Sequence, residues 1–289
     1  MSYLLHILIM CCIYLILAQS LNLLVGYTGL LSMAHAAFYG LGAYISALLM
    51  VRAGWNFFAT IPVAMVGAMI LAVIVALPSL RLRGDYFLLA TLAFQSIIFY
   101  LLYNWISFTR GPYGIAGIPK PEFLGFKITN VPEYFLMSAL ITGLIFLIVG
   151  TLCSSPFGRV LKSIREDEFV VEALGKNTRV FKIQAFMTAG GLAAVAGSLY
   201  AAYVAYIDPT SFTFDESVFI LSIIIIGGTG NLKGPVVGTL LMLFLPELLR
   251  FLRVSDPVAA NVRQIIYGAL LVVLMRIRPQ GILGDYQFD

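Results

Sequence analysis

Residues 157–182 read FGRVLKSIREDEFVVEALGKNTRVFK and form the most charged stretch of an otherwise apolar chain. They contain six of the eighteen Lys and Arg residues and four of the fourteen Asp and Glu residues. Long runs without any charged residue lie on both sides. Because charged side chains are costly in the lipid interior, we predict that this stretch, the charged segment, lies in water and contacts a partner there.

The composition of the whole chain indicates its solvent. Of the 289 residues, 61% are hydrophobic and 11% are charged, with a mean hydropathy of +0.96, whereas soluble domains carry about 25% charged residues. A soluble core could not bury this much apolar surface, so we predict an all-α polytopic membrane protein. The net charge of +4 comes from basic residues between apolar runs. The positive-inside bias explains these residues, and no nucleic-acid partner is expected.

The charge-free runs predict eight or nine transmembrane helices in a single domain, residues 1–289. Residues 1–51 carry no charged side chain and are too long for one span, which needs about 20 residues. They divide at the sequence Gly-Tyr-Thr-Gly, residues 26–29. The predicted spans are residues 3–24, 33–51, 53–80, 86–105, 134–153, 183–207, 217–232, 234–246 and 264–275. The last three are short, and the Gly/Pro interruptions among them are typical of broken or re-entrant helices.

Two short stretches resemble each other and suggest an internal duplication. GYTGLL at residues 26–31 and GGTGNL at residues 227–232 agree at four of six positions. Each follows an apolar run and precedes a Gly-containing run, so they occupy corresponding places in the two halves of the chain. Corresponding interrupted segments are typical of transporters built from structural repeats.

The basic residues predict the orientation of the chain. If the charged segment is cytoplasmic and nine spans are counted outward from it, eleven of the eighteen Lys and Arg residues lie on the cytoplasmic side and seven outside. This distribution agrees with the positive-inside rule. It places the N-terminus outside and the C-terminus inside.

The stretch around residues 26–35, the Gly-rich joint, predicts a substrate pathway. Irregular backbone survives at membrane depth only where protein or a watery cavity satisfies its polar groups. Thr91 and Gln95 are four residues apart and share a helix face, so they add a polar surface nearby. The candidate pathway residues are Gly26, Gly29, Ser32, His35, Thr91 and Gln95. An equally weighted alternative is a short loop followed by a helix that packs through Gly40 and Gly42.

No motif for catalysis, phosphate binding or metal binding occurs in the sequence, so neither an enzyme nor a bound cofactor is expected. No Asp or Glu lies near the middle of a long predicted span, and Glu247 at a helix end is the nearest candidate. This argues against a carrier coupled to an ion gradient, because intramembrane carboxylates usually mark the ion path. Transport would then need energy from a partner ATPase that docks on the charged segment.

The charged segment itself has helical periodicity. Its apolar residues Val160, Leu161, Ile164, Val171 and Leu174 recur at near-helical spacing. Glu168 interrupts this stripe and predicts two short helices instead of one. Gly175 is a favourable helix stop.

Six stretches resemble the membrane subunits of bacterial ABC importers for branched-chain amino acids, and the M-type subunit more than the H-type. They are LNLLVGYTGLLSMAHAAFYGLGAY (21–44), LRLRGDYFLLATLAF (80–94), NWISFTRGPYGI (104–115), GRVLKSIREDEFVVEALG (158–175), GGTGNLKGPVVG (227–238) and RPQGILG (278–284). Their order along nearly the whole chain makes the resemblance specific.

The resemblance implies a permease subunit that moves branched-chain amino acids inward by alternating access. ATP would be bound by partner ATP-binding cassette subunits, beside a second homologous permease subunit and an extracytoplasmic binding protein, in the bacterial cytoplasmic membrane. ABC permeases carry a Glu-Ala-Ala…Gly element that seats in a groove on the ATPase, and residues 172–175 are a shortened match. The residues implied in ATPase coupling are Arg165, Glu166, Asp167, Glu168, Glu172, Ala173 and Gly175.

Two positions depart from the family pattern. Gln95-Ser96 stands where relatives often carry Gly-Glu, and residues 110–113 read Arg-Gly-Pro-Tyr where relatives often carry Gly-Gly-Pro-Asn. Since the second position lies in an outer loop, the cargo could differ. Urea and short-chain amide importers of the same architecture are the alternative, followed by an ion-coupled secondary carrier.

Overall fold

The computed structural model describes residues 2–123, 125–251, 268, 269, 272, 273, 276 and 280–284, and it is mainly α-helical. The helices are α1 (Ser2–Thr28), α2 (His35–Ala53), α3 (Phe57–Ser79), α4 (Asp85–Asn104), α5 (Ile106–Thr109), α6 (Val131–Ser154), α7 (Pro156–Glu166), α8 (Glu168–Ala173), α9 (Thr178–Val204), α10 (Phe214–Gly227) and α11 (Lys233–Phe251). Two short antiparallel pairs join β1 (Ile115–Ala116) to β4 (Tyr206–Ile207) and β2 (Glu122–Phe123) to β3 (Phe126–Lys127). Short 3-10 turns cover Gly111–Tyr113 and Pro209–Phe212.

Seven helical stretches of the described chain are long and apolar enough to cross a membrane. They are α1 from Tyr3, α2, α3, α4, α6, α9 and the stretch Pro209–Gly227, and a shorter apolar stretch, Lys233–Leu245, lies in α11. The prediction of an all-α polytopic membrane protein is confirmed. The predicted ninth span, residues 264–275, lies largely outside the described residues.

Helix α9 lies at the centre of the bundle because its small residues allow close packing. A Cβ on Gly197 would lie 2.1 Å from the carbonyl oxygen of Tyr39, and one on Gly42 would lie 2.3 Å from the Cα of Ala194. Small residues at such positions let helix backbones approach within a bilayer. Helix α9 is therefore packed closely against α2.

The helix at the end of the charged segment begins earlier than predicted. Helix α9 starts at Thr178 instead of residue 183, because the side chain of Asn177 caps it by accepting a hydrogen bond from the Val180 N–H at 3.3 Å. The charged segment therefore includes the first turn of α9. Basic residues in that turn fit a helix end that lies outside the lipid.

The loops gather at two ends of the bundle. At the end that contains the charged segment, Arg165 contacts Gly26, and the Arg179 guanidinium donates to the Leu77 carbonyl at 3.2 Å. At the opposite end, strand β1 of the long loop after α4 pairs with β4, which follows α9. The charged segment and the long loop after α4 therefore lie at opposite ends of the bundle, while the side that faces the cytoplasm stays a prediction.

Helix α2 begins inside the bundle, not at its surface. The His35 Nε2 lies 2.6 Å from the Ser20 Oγ, and Ser20 is eight residues before the end of α1, about 12 Å along the helix axis. The Met33 N–H donates to the Thr91 Oγ1 at 3.0 Å, so residues 29–34 turn back between α1 and α4. This confirms the predicted break in the first charge-free run.

Helix α10 also begins inside the bundle. The Gln95 side chain, halfway along α4, donates to the Phe212 carbonyl at 2.8 Å. The Tyr14 hydroxyl, halfway along α1, hydrogen-bonds the Glu216 carboxylate in the first turn of α10. The predicted spans contain no carboxylate near their middle, but Glu216, just before the predicted span 217–232, lies within the apolar stretch Pro209–Gly227 of the structure. In the sequence, Glu216 directly precedes an apolar run, as a residue at a surface helix end would. In the structure, the residues before it lie inside the bundle.

Candidate functional site

The charged segment folds as two short helices separated at Asp167. This residue has an extended backbone, with φ −155° and ψ 106°, and its Oδ1 accepts hydrogen bonds from the N–H groups of Phe169 and Val170 at 2.9 and 3.2 Å. It is therefore the N-cap of α8. At the other end Gly175 has φ +79°, a conformation that favours glycine after a helix. The predicted division into two helices and the predicted stop are both confirmed.

The two helices bury one face and expose another. Leu161, Ile164 and Val171 are buried against the bundle. On the outer face of α8 and just after it, an apolar tip consists of Phe169, Val170 and Leu174, which are 66%, 54% and 76% exposed. A contiguous exposed apolar patch rimmed by charge marks a surface that contacts a partner.

An ion pair fixes α8 to the start of α9. The Lys182 ammonium lies 2.6 Å from the Glu168 carboxylate, and the Thr178 Oγ1 lies 3.0 Å from Glu168 and 2.7 Å from Glu172. Partial burial by itself raises the pKa of the Glu168 carboxyl, but Lys182, Thr178 and the charge of Arg83 together hold that pKa below its usual range. Glu168 is therefore ionised at neutral pH and holds α8 against the start of α9.

Arg165 points away from the apolar tip and into the bundle. Its side chain is 8% exposed, and its guanidinium donates to the Gly26 carbonyl and lies 2.7 Å from the Glu166 carboxylate. The seven residues predicted to couple to an ATPase thus separate into two groups. Glu166, Asp167, Glu172, Ala173 and Gly175 are exposed, whereas Arg165 and Glu168 connect the segment to the membrane helices.

The Gly-rich joint contacts the second Gly-rich stretch, residues 227–232. A Cβ on Gly26 would lie 2.5 Å from the Gly230 nitrogen. The Asn22 side chain donates to the Asn231 carbonyl at 2.8 Å and accepts from the Gly230 N–H at 3.2 Å. The two similar sequences therefore meet, although the duplication that their similarity suggests stays a prediction.

The remaining predicted pathway residues form a buried polar cluster at the start of α2. Ser32, His35, Thr91 and Gln95 are each at most 1% exposed. The His35 Nδ1 and the Gln95 Oε1 have no hydrogen-bond partner among the described residues. The sequence missed a further member, Ser217, whose Oγ accepts from the Ala36 N–H at 3.0 Å and joins α10 to α2.

Two cavities lie near the predicted pathway residues, although Ser32, His35, Thr91 and Gln95 line neither of them. One, of about 440 Å³, lies beside the charged segment, and its lining includes Gly29, Arg165, Glu168 and Lys182. The other, of about 610 Å³, lies at the start of α10, and Glu216 is part of its lining. Of the predicted pathway residues, Gly29 lines the first cavity and Gly26 lies beside Arg165.

The larger cavity contains the functional candidate that sequence reasoning missed. Its described lining includes Tyr14, Tyr39, Tyr200, Phe219 and Glu216, and the Glu216 Oε1 is buried without a hydrogen-bond partner among the described residues. The available signal was the pair Asp215-Glu216 directly before the apolar run 217–227. Only the depth of the preceding residues distinguishes this pair from ordinary surface charges.

The chain is similar to known transport proteins along most of its length. Residues 3–275 match the family described as "Branched-chain amino acid transport system / permease component". No solved structure matches the chain.

Three relatives illustrate the similarity. The chain is 33% identical to the high-affinity branched-chain amino acid transport system permease protein LivM of Escherichia coli (strain K12), over 94% of this chain and 68% of the relative. It is 26% identical to a probable LivM of Methanocaldococcus jannaschii and 27% identical to LivH of Escherichia coli (strain K12), over 94% of this chain and 91% of each relative. The greater likeness to the M-type subunit is as predicted. The chain is therefore a member of the permease family of branched-chain amino acid transport systems.

Proposed function

We propose that this permease is the membrane-spanning subunit of an ATP-driven importer that moves branched-chain amino acids into the cytoplasm by alternating access. The observation that carries the proposal is the apolar tip of residues 169, 170 and 174, which is exposed among charged side chains. Binding of the apolar tip in a partner's groove would remove apolar surface from water, which is favourable. An ATP-binding cassette subunit is the partner that supplies both the groove and the energy.

The docked segment would move the membrane helices through Arg165. This side chain connects α7 to the carbonyl of Gly26, at the last turn of α1. Glu168 and Lys182 connect α8 to α9, the central helix of the bundle. Closure of two ATPase subunits would therefore act on both the Gly-rich joint and the core of the bundle.

The substrate pathway would run past the start of α2. Leu31 and Leu88, which adjoin the buried cluster along the chain, line the cavity beside the charged segment. Tyr39, one turn after His35, lines the cavity beside Glu216. The pathway would connect these two cavities through the cluster. That cluster is closed in this conformation, so the joint would have to move for a substrate to pass. Discontinuous helices with polar interruptions carry substrate sites in other transporters.

The proposed assembly contains a second homologous permease subunit, two ATP-binding cassette subunits and an extracytoplasmic binding protein. The similarity to both LivM and LivH supports a pair of related permease subunits. The proposed location is the bacterial cytoplasmic membrane. ATP would be bound by the partner subunits.

Reconstitution tests the proposal. Proteoliposomes that contain the chain with its second permease subunit and ATPase subunits are expected to accumulate L-leucine when the binding protein and ATP are supplied. Leu174→Asp is expected to abolish co-purification of the ATPase and uptake. Ser163→Asp places the same charge on an exposed position of α7 and is expected to retain both.

Other outcomes would identify the rival functions. Uptake that persists without ATP and collapses with the proton or sodium gradient would favour a secondary carrier, for which the intramembrane Glu216 is the relevant observation. ATP-driven uptake of urea or acetamide instead of leucine would assign the alternative cargo. Full co-purification of Leu174→Asp with the ATPase would remove the docking role of the apolar tip.

A further inference from the structure

We propose that the cavity at the start of α10 is a binding subsite for a primary ammonium group, with Glu216 as its counter-ion. This inference rests on the proposed function, in which the ammonium belongs to an amino acid that crosses the membrane. A phosphatidylethanolamine headgroup carries the same chemistry, and the experiment below separates the two sources.

The first argument is the incomplete environment of the carboxylate. The Tyr14 hydroxyl hydrogen-bonds Glu216, but the Oε1 is buried without a partner among the described residues. The described part of the chain also contains no basic side chain paired with Glu216. A buried carboxylate is costly unless it is paired, so a cationic ligand would complete this arrangement.

The second argument is the aromatic lining. Tyr39 and Tyr200 lie with ring centroids 5.6 Å apart, and Tyr14 meets Phe219 edge-to-face at 5.3 Å. All four residues line the cavity together with Glu216. Aromatic faces attract cations, most strongly where water is excluded. A carboxylate among tyrosines therefore recognises a compact ammonium by charge and by ring contact.

The third argument is that the start of α10 favours a negative charge, which suits the carboxylate of an amino acid. Glu216 lies in the first turn of α10, whose N-cap Thr213 provides no side-chain hydrogen bond to that turn. The N–H groups of a helix start favour an anion, and broken helices present such ends to substrate carboxylates. Val218 and Phe219 add apolar surface to the same cavity. A zwitterion with an aliphatic side chain would use all three features.

The volume is consistent with a small ligand. The cavity measures about 610 Å³, within the range of about 300–1,000 Å³ that is usual for small-molecule sites. It lies halfway along α1, where a substrate would pass between the two ends of the bundle. The subsite is therefore placed to hold a substrate during transport.

Ligand titration of the full chain in phosphatidylcholine nanodiscs tests the subsite. Saturation-transfer NMR would measure the affinities for L-leucine, for 3-methylbutylamine, which lacks the carboxylate, and for 4-methylpentanoic acid, which lacks the ammonium. Glu216→Gln is expected to weaken binding of leucine and the amine at least about tenfold, equivalent to about 1.4 kcal/mol. Binding of the acid should not weaken, because the substitution removes a negative charge near its carboxylate. Glu133→Gln is the matched control, because Glu133 is an exposed carboxylate outside the described lining of this cavity, and it is expected to leave all three affinities unchanged.

A second variant guards against misfolding. Tyr200→Leu removes one ring and keeps the carboxylate, and it is expected to weaken leucine and amine binding without affecting the acid. Unchanged leucine affinity in correctly inserted Glu216→Gln, or in Tyr200→Leu if the first variant fails to insert, would overturn the proposal. Absence of leucine and amine binding to the wild-type chain would do the same.

Measurements of lipid retention and of ATP-driven uptake distinguish a substrate ammonium from a lipid ammonium, and failure of the subsite from failure of the proposed function. Phosphatidylethanolamine retained by the wild type but not by Glu216→Gln, with equal leucine affinity in both, would assign the ammonium to lipid and overturn the substrate subsite. If leucine binding depends on Glu216 but the assembled complex shows no ATP-driven uptake, the subsite stands and the proposed function fails. ATP-driven uptake of wild-type strength and affinity in Glu216→Gln would overturn the subsite alone.

Discussion

The Arg165 guanidinium donates a hydrogen bond to the carbonyl oxygen of Gly26, and the two residues are 139 positions apart in the sequence. Gly26 lies in the last turn of α1, where its backbone also touches Gly230. Arg165 is the second-last residue of α7, two residues before the break at Asp167. One side chain therefore connects the charged segment to the contact between the two Gly-rich stretches.

Arg165→Met is expected to uncouple ATP hydrolysis from transport. The substitution keeps a long side chain but removes the guanidinium that donates to Gly26. The ATPase would therefore still dock at the apolar tip but would not move the Gly-rich joint. Leucine uptake per ATP hydrolysed should fall roughly tenfold, which is within the usual range of coupling between sites. Arg159→Met is the matched control, because Arg159 is exposed on the same helix. Equal coupling ratios in both variants would contradict this role.

Glu168 and Lys182 are expected to stabilise the docked position of α8 by about 1 kcal/mol, since the pair is partly exposed. A double-mutant cycle with Glu168→Gln and Lys182→Met, followed by thermal unfolding, measures this energy. Because the pKa of Glu168 is lowered in the folded chain, the contribution is present above the unfolded pKa near 4.5 and is lost as the pH falls through the folded value. The melting-temperature difference between wild type and Glu168→Gln should therefore shrink on acidification, and a constant difference would contradict the pairing.

Gly26→Ala is expected to destabilise the protein and impair transport. Its new methyl group would lie 2.2 Å from the Asn22 Oδ1 and 2.5 Å from the Gly230 nitrogen, so the two Gly-rich stretches would have to separate. Overpacking of this kind costs about 1–3 kcal/mol. Gly143→Ala in α6 is the control, because no atom lies within 4 Å of its added Cβ. Detergent thermal stability of the two variants compares the costs directly, and equal melting temperatures would refute the close contact.

His35→Ala tests whether the buried cluster belongs to the substrate pathway. The pathway proposal predicts lower uptake, or altered substrate preference, for each inserted molecule. Ser46→Ala is a matched control, because Ser46 is also fully buried in α2 and hydrogen-bonds Ser198 at 2.6 Å. Uptake normalised to inserted protein is the measurement. Normal specific uptake with reduced insertion in His35→Ala would assign this residue to packing alone.

Cysteines introduced at Ser163 and Lys120 test the predicted orientation. Ser163 lies in α7, and Lys120 lies in the long loop at the opposite end of the bundle. An impermeant thiol reagent applied to intact cells should label the cysteine at 120 and spare the one at 163. The native cysteines, Cys11, Cys12 and Cys153, are replaced by alanine to remove background. The reverse labelling pattern would invert the topology.

The sequence alone was sufficient for the membrane class, the approximate spans, the break near residues 26–35 and the two-helix division of the charged segment. These features depend on local sequence. A charge-free run of sufficient length crosses a bilayer, Glu168 interrupts the apolar stripe of the charged segment, and a glycine after that stripe, Gly175, favours a helix stop. The family resemblance added the kind of partner that the charged segment would meet.

Only the tertiary structure decided which residues meet and how deep they lie. Arg165 resembled the other charged residues of its segment until the fold brought it to Gly26. Glu216 resembled a residue at a helix end until Tyr14, halfway along α1, became its neighbour. Depth and partnership depend on how helices far apart in sequence pack together, and small residues such as Gly42 and Gly197 permit that packing without encoding its register. The periodicity of a single run contains no such information, so the intramembrane carboxylate could be recognised only in the folded bundle.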